Sequence, residues 1–160
     1  MSEARQADPA PWYREGLRFT CTRCGHCCSG TPGTVLVSDA EIEALARRVE
    51  LPPAAFRKVY TRRLRRGAIS LRERRNGQCI FFQPGAGCTV YPDRPRQCRT
   101  WPFWRGVVHS PQRWAEEAEH CPGMNHGHLH APEEIQQLTQ NDGTSGKGGE
   151  RGDVPSEFST

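Results

Sequence analysis

Four cysteines within eight residues, Cys21, Cys24, Cys27 and Cys28, constrain this chain more than any other feature of it. Metal ligation requires thiolates held within about 4 Å of one another, and Cys-x-x-Cys turns achieve this with backbone amides pointing at sulfur. Cys21, Cys24 and Cys27 make two such turns in series. Cys28 directly follows Cys27, and adjacent side chains diverge, so one tetrahedral ion is not expected to take both. Two centres side by side, or one polynuclear centre, would accommodate the pair. Cys79, Cys88, Cys98 and Cys121 bring the total to eight, against two methionines. An even count would also suit disulfides in an exported chain. The polar, proline-broken N-terminus has no apolar stretch of the secretory kind, so the expected address is the cytoplasm and the expected role of all eight cysteines is metal ligation.

Apolar residues make up 35% of the 160, and the mean hydropathy is −0.75. Such a chain builds a small core, close to the limit of what apolar burial alone stabilises. No apolar run approaches the length of a membrane span, so no membrane partner is expected. The formal charge of +4 rests on 22 basic against 18 acidic residues, and only Lys58 and Lys147 are lysines. Eight thiolates would outweigh that excess, and two divalent ions would return the metallated chain to near neutrality. The arginine surplus is therefore read first as compensation for thiolate charge.

Along the chain, residues 1–16 read as a flexible lead-in, 17–140 as one metal-binding domain, and 141–160, with five glycines, as a disordered tail. Leu17–Thr20 is a short strand delivering the chain into the cysteine loop, where Gly25 and Gly30 supply positive φ. Thr34–Val37 is a second strand. Ser38 and Glu41 make a capping box for a helix over 39–50, with Ile42, Leu45, Ala46 and Val49 on its apolar face. A second helix starts at Ala54, carries Phe56, Val59, Tyr60 and Leu64, and stops at Gly67. Asn76-Gly77 predicts a hairpin joining Ile69–Arg75 to Gln78–Phe82. Cys88–Tyr91 follows as a strand. Asp93 is then expected to cap a short helix over 96–100, with Pro95 in its first turn. Val107–His109 is read as a strand, Gln112–Glu119 and Pro132–Gln140 as helices. The fold class is α+β: short strands, a hairpin and three or four helices around a cysteine-ligated centre.

Phe19-x-Cys21-x-x-Cys24-x-x-Cys27-Cys28 resembles the signature of the YkgJ-type cysteine-cluster proteins, a family of zinc- or iron-chelating domains. The resemblance continues through Gly77-x-Cys79-x-Phe81-Phe82 and Cys88-x-Val90-Tyr91-x-x-Arg94-Pro95-x-x-Cys98-Arg99-x-Trp101-Pro102-Phe103, and closes with His120-Cys121-Pro122-Gly123. It covers residues 17–125. Flagellin lysine N-methylases are similar in carrying such a cluster. The resemblance implies a metal domain and leaves its reaction open.

Zinc or iron, the latter as a 4Fe-4S cluster, is thus the expected cofactor, with the metal chiefly building the fold. One alternative is a metal-dependent enzyme acting on a protein side chain in a methylation-linked role. The other is a nucleic-acid-binding zinc module using residues 57–75, where nine basic side chains face one acid. That segment reads more simply as a solvated face. Cys98, between Arg96 and Arg99 at a helix start, is expected to gain thiolate character from both charge and dipole. Trp101, Phe103, Trp104 and Trp114 are expected to wall the metal site from water. His26 and His120 neighbour cysteines and are the histidines that would join a metal site, whereas His126, His128 and His130 read as polar rings on a glycine-rich exposed stretch. Cys21, Cys24 and Cys27 repeat a bacterial ferredoxin run that a distant Cys-Pro completes, which pairs them with Cys121. Cys28, Cys79, Cys88 and Cys98 would then form a second centre.

Overall fold

The structure, a computed structural model, describes residues 9–29 and 33–144. Residues 1–8, residues 30–32 with the expected turn at Gly30, and most of the expected tail (145–160) lie outside the described residues. The fold is a small α+β domain of short antiparallel pairs and helices. Strand β1 (Leu17–Phe19) pairs with β6 (Met124–His130), β2 (Thr61–Arg63) with β3 (Ile69–Leu71), and β4 (Phe82–Gln83) with β5 (Gly87–Cys88). Among the helices, α2 (Asp39–Arg48), α3 (Pro53–Tyr60), α6 (Pro111–Ala118) and α7 (Pro132–Gln140) run eight residues or more. The remaining ones, α1 (His26–Ser29), α4 (Arg96–Thr100) and α5 (Arg105–Val108), are single turns.

The capping box forms as the sequence predicts: Glu41 N–H donates to Ser38 Oγ, and Ser38 N–H donates to Glu41 Oε2. Helix α3 stops at Tyr60 rather than Gly67, because the chain extends at Thr61 and pairs with Ile69–Leu71. The Asn76-Gly77 turn is present, with Arg74 N–H donating to Gln78 O. Its strands, however, shrink to a Glu73–Cys79 bridge, since Ile69–Leu71 is already committed to β2. Thr34–Val37 contributes one bridge, Leu36 to Ser70, and Cys88–Tyr91 keeps strand geometry only at its first residue. Asp93 does not cap α4; it pairs with Arg48, and Pro95 stands at the N-cap. Residues 105–108 are helical, not extended, because burying both Val107 and Val108 in one core favours a turn over a strand that points them to opposite faces.

Apolar burial is split in two. One cluster gathers Leu17, Phe103, Val107, Val108, Trp114, Cys121, Met124 and Ile135, drawn from both ends of the domain. The other gathers Val37, Ile42, Leu45, Ala46, Phe56, Leu71, Phe81 and Val90 from its middle. Each is too small to stand alone. Polar links join the two halves. The buried Gln97 side chain accepts from Leu36 N–H and donates to Thr34 O, while its own carbonyl receives the Trp104 indole N–H.

Both ends of the described chain pack more closely than the sequence pattern suggests. Trp12 donates its indole N–H to Val108 O, and Tyr13 packs on the first cluster. Beyond Gln140, Asp142 is buried; its carboxylate receives Arg105 N–H and its carbonyl receives the Thr100 hydroxyl.

Candidate metal centre

All eight cysteines line one cavity. They reach it from five separate stretches: the Cys21–Cys28 loop, the Cys79 segment, β5 with Cys88, α4 with Cys98, and the turn at Cys121. The cavity lies where the two apolar clusters meet, with Phe19, Trp101 and Cys121 on one side and Leu71, Phe81 and Val90 on the other. The cavity measures about 70 Å³.

The loop is shaped to present sulfur. Arg23 N–H donates to Cys21 Sγ (3.4 Å) and His26 N–H to Cys24 Sγ (3.5 Å). These amides two residues ahead of each cysteine are the donors that such turns aim at thiolates. Arg23 and Gly25 both take positive φ, at 56° and 78°. At Gly25 no side chain fits, because a Cβ would be driven into the Phe82 ring. Gly25→Ala therefore combines an unfavourable φ with a clash, and is expected to cost about 2 kcal/mol or more. Thermal melts and metal content per chain, measured side by side on the variant, test this; unchanged values for both would show that the loop tolerates a Cβ. Cys79 N–H, donating to Cys28 O at 2.7 Å, pins the loop to the Cys79 segment.

Cys27 and Cys28 do not diverge. The single turn α1 sets their sulfurs 3.9 Å apart, close to the roughly 3.8 Å between two thiolates on one tetrahedral zinc with 2.3 Å bonds. This removes the premise that separated Cys28 from the Cys21–Cys27 run. Hydrogen bonding from Cys28 lowers the Cys27 thiol to about 7, and the Arg94 guanidinium assists. Cys28 is pushed up by that same hydrogen bond, by burial, and by negative charge on Cys27, Cys79 and Cys88. Burial raises Cys79, Cys88 and Cys98, and charge on neighbouring cysteines adds to each. Cys27, Cys28, Cys79, Cys88 and Cys98 therefore share one electrostatic environment. The other three cysteines complete the lining.

Cys98 corrects a further expectation. Burial raises its thiol, and the cation that opposes this is Arg94. Arg96 instead bonds Asn141 O, and α4 has only five residues. Arg94 also stacks on Tyr91 at 3.6 Å from the ring centroid, with Arg23 on Tyr91 at 3.8 Å. Two arginines and one tyrosine thus clamp the cysteine loop to the Arg94-Pro95 segment. Sequence reasoning named Tyr91 and Arg94 only within the family resemblance and gave them no role; an arginine and an aromatic three residues apart, just ahead of Cys98, were the available signal.

The aromatic wall is smaller than expected. Trp101 lines the cavity, whereas Phe103 and Trp114 are buried in the first cluster and Trp104 packs against it. His26 lines the cavity and stacks on His120 at 5.4 Å. Among the described residues, the trio of metal-ligating atom types already within 4.8 Å of one another is His128, His130 and Glu134. Among the described residues no three cysteine sulfurs lie that close together, although Cys27 and Cys28 stand 3.9 Å apart. In the basic segment, Arg57 pairs with Asp39, Arg62 with Glu73, and Arg72 donates to the carbonyls of Thr61 and Lys58.

The donor set fits a soft or borderline metal: sulfur ligands, amide N–H groups directed at sulfur, and a nearby guanidinium. Every buried side-chain nitrogen and oxygen among the described residues has a hydrogen-bond partner, so no orphaned polar group in the interior competes with the thiols for a metal. No helix among the described residues is long and apolar enough to cross a membrane.

Comparison with known proteins agrees with this chemistry. The uncharacterized protein MJ0661 of Methanocaldococcus jannaschii is 28% identical over 92 residues, covering 57% of this chain and 48% of the relative. The chain thus spans about half the length of that curated relative. No solved structure matches it significantly. Residues 20–122 match the model of the CxxCxxCC family, described as a "Putative zinc- or iron-chelating domain", and the chain belongs to that family.

Proposed function

We propose that this protein binds zinc or iron through Cys21, Cys24, Cys27, Cys28, Cys79, Cys88, Cys98 and Cys121, and that the metal chiefly holds the fold together. The convergence of all eight cysteines on one cavity between two small apolar clusters carries this reading. A cation there supplies what the thiols lack. Crowded sulfurs in a partly buried space resist ionisation, and a bound metal inverts that by stabilising every thiolate it touches. It also ties the cluster built from the chain ends to the cluster built from the middle, a structural use of metal suited to a domain with little apolar surface to bury. Eight donors exceed the four of a single tetrahedral site, so a polynuclear centre, as multiple zinc ions or an iron–sulfur cluster, accommodates them best. This reading suits the cytoplasm, where thiols stay reduced.

Metal and acid-labile sulfide analysis on anaerobically purified protein, with its optical spectrum, tests the assignment. More than one zinc or iron per chain is expected. A brown protein with sulfide identifies an iron–sulfur centre, and a colourless one with zinc a thiolate–zinc centre. Protein that binds neither metal above background would remove the proposal.

A further inference from the structure

The His128, His130 and Glu134 trio lies outside the cysteine cavity and is built from different elements: His128 and His130 stand on β6, and Glu134 in the first turn of α7. One ligand atom from each lies within 4.8 Å of the others. His130 is the organised member. One ring nitrogen, Nε2, lies 3.0 Å from Phe19 O, and a carbonyl only accepts, so Nε2 carries the proton. Nδ1 faces the Glu134 carboxylate at 3.0 Å, and a carboxylate likewise only accepts, so the two form a hydrogen-bonded pair whose intervening proton a bound cation would replace. Metal-bound histidines have this arrangement: one nitrogen fixed by donation to a backbone carbonyl, the other presented to the ion. Donor atoms on one zinc stand roughly 3–3.5 Å apart, so Nδ1 and the carboxylate already have the required bite.

The surroundings hold His128 to the same corner. Its backbone N–H donates to Thr20 Oγ1 at 2.9 Å, and its ring meets His130 edge-on at 4.7 Å. The bulge that permits this depends on Gly127, at φ 78°, where a Cβ would collide with the Thr20 side chain. His130 is packed against Phe103, which limits its freedom to turn away. The nearest fixed cation on β1, Arg18, is occupied with Gly127 O at 3.0 Å.

We propose that His128, His130 and Glu134 form a second metal site, of two nitrogens and one oxygen, for a borderline divalent cation such as zinc. Three protein donors leave coordination positions open, so the ion is exchangeable. The site is independent of the cysteine centre, although Phe19 contributes its carbonyl to one and its side chain to the lining of the other.

Calorimetric titration of the full-length purified protein with zinc chloride, at neutral pH and low ionic strength, tests this. Wild-type protein is expected to show a zinc-binding event that His128→Ala and Glu134→Gln each weaken by about tenfold or more. Both variants should keep the wild-type content of cysteine-bound metal and the wild-type melt. His128 is exposed, and Glu134→Gln preserves a hydrogen-bonding partner for His130, so neither removes core packing. If both variants retain every zinc-binding event of the wild type, or if only one of them loses it, the three-donor site is wrong. Failure of the cysteine reading would appear separately, as absent tightly bound metal in all three proteins.

Discussion

Stripping the metal from this domain is expected to abolish its cooperative thermal melt and most of its helical circular-dichroism signal. A structural metal contributes on the order of 10 kcal/mol to small domains of this kind, and net stabilities of native domains are of similar size, about 5–15 kcal/mol. What remains without metal is two apolar clusters, linked by Gln97, the Arg48–Asp93 pair and the bond from Arg96 N–H to Glu41. Removing the cation also returns the cysteines to mutual repulsion and burial, both of which oppose thiolates at the cavity. The measurement is a melt of apo-protein, prepared with excess chelator under reducing conditions and verified metal-free. A melt unchanged from the loaded protein would mean that the metal is not structural.

Cys88→Ser and Cys121→Ser are expected to lose the same centre rather than different ones. The ferredoxin-like division of the ligands put Cys121 with Cys21, Cys24 and Cys27, and put Cys88 with Cys28, Cys79 and Cys98. The position of Cys27 argues against that division. Its sulfur lies 3.9 Å from Cys28, and its charge acts on Cys28, Cys79, Cys88 and Cys98 alike. A ligand shared in this way links the two halves, so each substitution should remove more than half of the bound metal. Metal content per chain, determined for both variants purified in parallel, decides between the arrangements. If each variant loses half and the two losses are distinguishable by metal or spectrum, the centres are independent.

Local chemistry with one dominant outcome was readable from the residues alone. The Ser38–Glu41 capping box and the helix Pro132–Gln140 need only neighbours in sequence to be specified. Elements decided by distant partners were not. Val107-Val108 has strand propensity, yet it coils because both side chains are buried in one cluster. Met124–His130, read as an exposed glycine-rich stretch, is the longest strand, made so by pairing with Leu17–Phe19 across a bulge at Gly127. The alternation of His126, His128 and His130 was its one visible strand signal. At the candidate centre, the cysteine count and the Cys21–Cys28 spacing pointed to metal ligation, and with it to the gathering of the distant cysteines on one cavity. The side-by-side placement of Cys27 and Cys28 did not, because it depends on α1 being a helical turn. Nor did the role of Arg94, which depends on the Tyr91 stack holding it at the cavity.

X-ray absorption at the edge of the metal found in the purified protein tests the central claim most directly. A cysteine-built centre predicts a first shell dominated by sulfur at about 2.3 Å, with a second metal or bridging sulfide beyond it if the centre is polynuclear. A first shell of nitrogen and oxygen at about 2.0–2.1 Å, with no sulfur component, would contradict it.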